Sequence, residues 1–216
     1  MNLIQLFIIE RFNAWTSALE TTHFAQNLIA SSAFFILVLY IEIHGSAHTK
    51  KQAASSPPLS DILLDRLPVV NLNFLYIEIM GALTTIFFFY QIARPHSVPY
   101  VLATLAFFTL VRRAFLIMTP FGPHKNHIPS FGFKLNGTMA QKIFQGDGDF
   151  FFSGHTGLPF LFFLLAPWQP LAMIFLIGSA IMAIAVLLMH IHYSIDVFAA
   201  PFMAYSIFIL SQLLFK

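Results

Sequence analysis

The sequence predicts an all-α integral membrane protein: six transmembrane helices behind an N-terminal interfacial helix, in a single membrane domain over residues 1–216. Three observations lead there. The chain is 58% hydrophobic and only 9% Asp, Glu, Lys or Arg, against about 25% charged residues in soluble domains, so a soluble fold would run out of polar skin. Its apolar residues gather into runs close to the roughly 20 residues a helix needs to cross a bilayer. Inside the hydrocarbon such runs satisfy their backbone groups by becoming helices.

Residues 1–20 read as an amphipathic helix lying at the interface. Glu10 and Arg11 interrupt the run and no small-residue cleavage site follows, so a cleaved signal peptide is not expected. The bundle itself is placed at 24–213. Its spans are 24–43, ending in Glu42; 69–93, with Glu78 inside; 98–118, apolar up to Arg112 and Arg113; a shorter one at 150–166, opening on Phe150-Phe151-Phe152-Ser153-Gly154-His155-Thr156; 171–191; and 193–213, with Asp196 near its start. No internal repeat is visible. Trp15 and Trp168 suit the interfacial belt. The 27 Phe suit lipid-facing and packing surface.

Two connections are long. Residues 44–68 begin as a Ser/Pro-rich flexible linker, and 119–149 are rich in Gly, Pro, His and Lys. The turns at 94–97 and 167–170 are tight. Six spans put both long connections on one side, face B, and the short turns and both ends of the chain on face A. The absence of Cys excludes thiolate chemistry and disulfides. A net charge of +2 gives no case for nucleic acid.

The titratable groups gather at face B: Arg112 and Arg113 ending the third span, His124, Lys125, His127 and Asp149 in the loop after it, His155 at the start of the fourth, His190 and His192 ending the fifth, Asp196 beginning the sixth. Charge near membrane depth is costly and usually functional. Ser153 suits an N-cap and Gly154 a close backbone approach, so the amides of that helix start would hold an anion beside His155. The plain alternative is a cap with an interfacial His. His192 and Asp196, four apart, share a helix face, so the carboxylate would engage one imidazole nitrogen and leave the other for nucleophilic or base chemistry. The alternative is an interfacial ion pair. Arg112 and Arg113 point in different directions and could fork onto phosphate oxygens, or simply stop the helix at the headgroups. Taken together, two His, one Asp, Arg donors and a helix N-terminus suit attack on phosphorus.

At these residues the chain resembles the type-2 phosphatidic acid phosphatase superfamily, and within it the sphingomyelin synthase branch. Gly148 to Thr156 and His192-Tyr193-Ser194-Ile195-Asp196-Val197 carry the resemblance. Arg112 through Pro120, and Pro57 to Pro68 with Asp61 and Asp65, are similar to two further segments of that branch. The resemblance implies a metal-independent, cofactor-free phosphohistidine mechanism. His192 would be the nucleophile, Asp196 its orienting carboxylate and His155 the general acid, then base. Arg112, Arg113, Ser153, Gly154 and Asp149 would hold phosphate or headgroup. The partners implied are a glycerophospholipid donor and a ceramide-like or diacylglycerol-like acceptor. The broader phosphatases carry an Arg where this chain has Val186, six before His192, and a Lys–Arg–Pro motif that has no clear match here. Both departures favour the synthase branch.

Outer candidates are Glu78, expected to be buried in its span, with His124, Lys125 and Tyr193. Two other functions compete: a lipid phosphate phosphatase, with water as acceptor, and a transporter or channel in which His155, His192 and Asp196 relay protons or bind zinc. An ion path needs polar groups along its length, and face A is nearly bare. The count of Lys and Arg would make face B cytoplasmic, whereas the resemblance implies an exoplasmic site with both termini inside. Site Arg and Lys that bind substrate would bias that count, though Lys50 and Lys51 in the linker are not explained that way; the expectation taken from the resemblance is an exoplasmic site.

Overall fold

Runs of Leu, Ile, Phe and Ala separated by prolines and short polar turns dictate where the helices of this chain begin and end. The computed structural model describes residues 2–129 and 151–216. Among them lie seven α-helices: α1 Leu3–Leu19, α2 Thr22–Ser55, α3 Asn73–Ile92, α4 Val98–Met118, α5 Gly154–Leu165, α6 Gln169–Leu188 and α7 Ser194–Phe215. Proline in the first turn starts α4 and α6, where its fixed φ and missing donor cost nothing. No strand is found among the described residues, only an isolated bridge between Pro58 and Gly122.

Five segments are long and apolar enough to cross a membrane: α2, α3, the stretch Pro95–Met118 that contains α4, α6 and α7. The expected fourth span is different. Helix α5 has 12 residues, about 18 Å of rise, against a hydrocarbon core of about 30 Å.

The expected linker is also different at its start. Residues 44–55 are not flexible but continue α2, which reaches 34 residues, about 51 Å. Ala, Lys and Gln in this stretch are good helix formers, and extending an existing helix avoids the cost of a new nucleus. Contacts with α4 hold the extension: an added Cβ at Gly45 would sit 3.2 Å from Arg113 Cδ, and Arg113 Nη1 donates to Thr49 Oγ1 at 2.9 Å.

Helix α1 does not sort its residues into one apolar and one polar side. Leu6, Phe7, Ile8, Ile9 and Phe12 are all exposed, and four consecutive positions point all round a helix. Its fixed points are at the end of α3, where Arg11 Nη1 donates to the Ala93 carbonyl (2.9 Å) and Trp15 Nε1 to that of Ile92 (2.8 Å).

Helices α2 and α4 pack together, α5 lies against α6 and α7, α4 against α7 and α3 against α6. Phenylalanine makes the centre. Phe87 stacks on Phe162 at 3.9 Å between centroids, and both meet Phe175 edge-on. Gly178 admits Leu83, whose Cδ1 would lie 2.6 Å from an added Cβ. Part of the Phe content is therefore interior packing rather than lipid-facing surface.

One ion pair is buried between α2 and α4. Arg113 Nε donates to Glu42 Oε2 at 2.8 Å and its Nη2 engages Oε1. Removing one partner of a buried pair leaves the other charge uncompensated and costs about 3–5 kcal/mol. Arg113→Ala should therefore lower thermal stability in detergent sharply, whereas Arg113→Met with Glu42→Leu should recover most of it. A single variant that melts like wild type would show that the pair does not hold the helices.

Candidate active site

Face B collects its chemistry because two helices begin there side by side. The Ser153 amide donates to the Asp196 carbonyl at 2.9 Å, which docks the entry of α5 onto the first turn of α7. Ser153 is fully buried and caps α5, its Oγ accepting from the Thr156 amide at 3.3 Å. The following turn carries His155, whose ring centroid lies 6.1 Å from that of His192.

His192 and Asp196 meet, but not on one helix face as expected. Helix α6 stops at Leu188 and α7 starts at Ser194, so His192 sits in the turn between them. His190, with φ of 55°, reverses the chain there in the left-handed region, which among residues other than Gly favours Asn, Asp and His. The Asp196 carboxylate folds back over the start of α7, where its Oδ2 accepts from the Tyr193 amide at 3.1 Å and lies 3.5 Å from His192 Nδ1. His192 is 1% exposed. Neither of its ring nitrogens has a hydrogen-bond partner among the described residues, the Asp196 carboxylate standing at ion-pair distance from Nδ1.

His155 is held by a residue the sequence did not single out. Tyr76, on the first turn of α3, places its hydroxyl 2.5 Å from His155 Nε2 and its ring 4.5 Å from the imidazole. A tyrosine near the end of an apolar run looks like any interfacial tyrosine, so nothing in the sequence marked it. The expected neighbour from this helix was Glu78. The structure instead leaves Glu78 exposed. Helix α3 begins at Asn73 rather than 69, so Glu78 lies in its second turn, and two residues past Tyr76 it points away from His155.

The adjacent arginines diverge as expected. Arg112 lies against the start of α5, where a Cβ added to Gly154 would sit 3.0 Å from its Nε and 3.2 Å from Cζ. The lack of a side chain at Gly154 is what admits the guanidinium to this helix entry. Arg113, also expected at the phosphate, is committed to Glu42 and Thr49. Asp149 lies outside the described residues.

The remaining candidates form a second layer in the loops. Tyr193 is buried; its hydroxyl donates to the Gly122 carbonyl (2.8 Å) and accepts from the Leu59 amide (2.9 Å), and burial raises its pKa. His124 is buried with its ring 5.0 Å from that of His190 and its Nε2 3.6 Å from Asp65 Oδ1. Burial, and then neighbouring His190, lower its pKa. Lys125 Nζ reaches the same Asp65 oxygen at 2.7 Å. His190 Nε2 lies 3.0 Å from the Leu64 carbonyl. These side chains pin the 56–66 and 121–128 segments beneath the His192 turn. Among the described residues no three His, Asp or Glu side chains converge as a metal site.

Asp61 is the anchor of that layer. Its Oδ2 accepts from the Ser194 amide at 2.7 Å and its Oδ1 from the amides of Leu63 and Leu64 at 3.0 and 3.1 Å. It thereby ties the 56–66 segment to the N-terminus of α7.

Compared with protein-family models, with curated proteins and with solved structures, the chain gives no match.

Burial opposes ionisation of Asp61, but the amide hydrogen bonds of Ser194, Leu64 and Leu63 outweigh it and hold the pKa below the ordinary 3.8. With the folded value depressed, the carboxylate's stabilisation is complete above the unfolded value and is lost as pH falls through the folded one. Acid unfolding below about pH 4 should be less steep in Asp61→Asn than in wild type. An unchanged acid limb would contradict the anchoring role.

Proposed function

We propose that this protein is a membrane lipid phosphotransferase, moving a phospho-headgroup from a glycerophospholipid to a ceramide-like or diacylglycerol-like alcohol through a phosphohistidine at His192. The observation that carries the reading is the pairing of His155 with His192, 6.1 Å apart, with Asp196 behind one nitrogen of His192. A nucleophile with its second nitrogen oriented by a carboxylate, facing an acid–base histidine, is the minimum for covalent transfer. Arg112 and the capped entry of α5 supply the positive end that a transferring phosphoryl group needs.

In this reading His192 Nε2 attacks phosphorus. The P–N bond forms as the bond from phosphorus to the diacylglycerol oxygen breaks, and His155, entering as imidazolium, gives that oxygen its proton. The acceptor hydroxyl then attacks phosphorus while His155 takes its proton. The P–N bond breaks and its electron pair returns to His192. Asp196 offsets positive charge on the His192 ring throughout, and Tyr76 holds His155 through Nε2. Helix α5 would count as the sixth, shorter crossing, α1 would lie at the interface, and face B would be exoplasmic.

Purified protein given fluorescent ceramide and a phospholipid donor should release diacylglycerol and form a phosphorylated ceramide product. His192→Ala should abolish transfer, and His155→Ala should reduce it about 10²–10⁴-fold. Tyr76→Phe, which keeps the ring and loses the hydroxyl, should cost about tenfold or more, as for one hydrogen bond to a charged group, and shift the pH profile. Full transfer by His192→Ala would sink the proposal. Free phosphate released from phosphatidate, with no lipid product from any added alcohol, would reassign the site to hydrolysis.

A further inference from the structure

Helix α5 has a second end. Leu164 and Leu165 lie about 15 Å of helix from His155, and there α2, α4, α5 and α7 leave a cavity of about 1080 Å³ at face A. Phe24, Phe34, Val101, Leu165, Phe208 and Phe215 make its apolar wall, and Arg94, His96, Ser97 and Lys216 its polar rim, so face A is less bare of polar groups than the sequence suggests. No Asp or Glu lines it among the described residues.

The basic side chains of the rim rest on aromatic neighbours. Arg94 Nη1 donates to Tyr90 Oη at 2.8 Å, which fixes the guanidinium and leaves other N–H groups for a ligand. Lys216 Nζ lies 4.7 Å from the ring centre of Tyr100. His96 packs on Phe24, and Phe24 on Trp15 of α1, with centroids 5.8 and 6.3 Å apart.

We infer that this cavity is a second lipid site, separate from the reaction centre, that takes an anionic glycerophospholipid of the face-A leaflet. The phosphate would sit among Arg94, His96 and Lys216, and the acyl chains would fill the apolar wall. Charge selects the class: a rim with the Arg94 and Lys216 side chains, a histidine between them and no Asp or Glu side chain favours a net negative headgroup over a zwitterionic one. The wall selects the source, because a soluble phosphate would leave those Phe and Leu surfaces facing water. The volume lies at the upper end of ligand pockets, about 1,000 Å³, with room for part of a chain-bearing molecule.

The test is lipid binding to the full-length protein in neutral detergent, read by native mass spectrometry with phosphatidylglycerol and phosphatidylcholine as probes. A cation beside an anionic surface favours binding by about 1 kcal/mol, roughly fivefold, so wild type should prefer phosphatidylglycerol by at least about tenfold. Arg94→Gln with Lys216→Gln should remove that preference, and the exposed single change Lys216→Gln should lose several-fold of it. His192→Ala should bind as wild type does, so a failed transferase reading and a failed lipid site would be told apart. Excess glycerol 3-phosphate should not displace the lipid. Equal binding of the two lipids, displacement by glycerol 3-phosphate, or full preference in a Lys216→Gln protein that melts like wild type would each overturn the inference.

Discussion

A single backbone hydrogen bond, from the Ser153 amide to the Asp196 carbonyl, sets the spacing on which the chemistry of face B depends. It holds the starts of α5 and α7 together, and each start carries half of the histidine pair. The same Asp196 accepts from the Tyr193 amide through its carboxylate, which lies 3.5 Å from His192 Nδ1, so one residue joins the helix contact to the turn that carries the ring. Water competes weakly here, because Ser153, His192 and Asp196 are all buried, and a hydrogen bond in such surroundings is strong and costly to lose. Asp61 repeats the device one layer out by holding Ser194.

The membrane explains why such fastening is needed. Apolar helix faces gain little by meeting each other rather than lipid, so packing shape and polar contacts must specify the bundle. The Phe87–Phe162–Phe175 cluster and the Gly178–Leu83 contact supply the shape. The Arg113–Glu42 pair supplies a polar lock between α2 and α4. That lock also decides which arginine lies at the entry of α5. Two adjacent residues on α4 face apart, and because Glu42 on α2 captures Arg113, Arg112 is the one laid over Gly154.

Much of the site was legible because its signals are local. The spacing of His192 and Asp196, the Ser153 cap and the apolar runs all follow from chain geometry over a few residues. What escaped depends on partners distant in sequence. Tyr76 and Glu78 differ only in which side of α3 meets α5, and the start of that helix, four residues later than hydropathy suggests, decides it. Arg113 looked like Arg112 until α2 was seen to bring Glu42 beside it. Residues 44–55 read as linker because Gly, Ser and charged residues obscure a helix that α4 stabilises from outside. The pairing of His192 with Asp196 was legible, but its geometry was not: the contact crosses a turn at the mouth of α7 rather than running along a helix face.

The central claim is that His192 carries the phosphoryl group while His155 handles protons, and covalent trapping reads it most directly. Protein incubated with a phospholipid donor and no acceptor would be quenched in alkali, which preserves phosphoramidates, and the adduct mapped by peptide mass spectrometry. The account predicts a single adduct on His192, present in wild type and absent in His192→Ala. An adduct on His155 or another residue, or lipid transfer by wild type with no covalent intermediate, would contradict it.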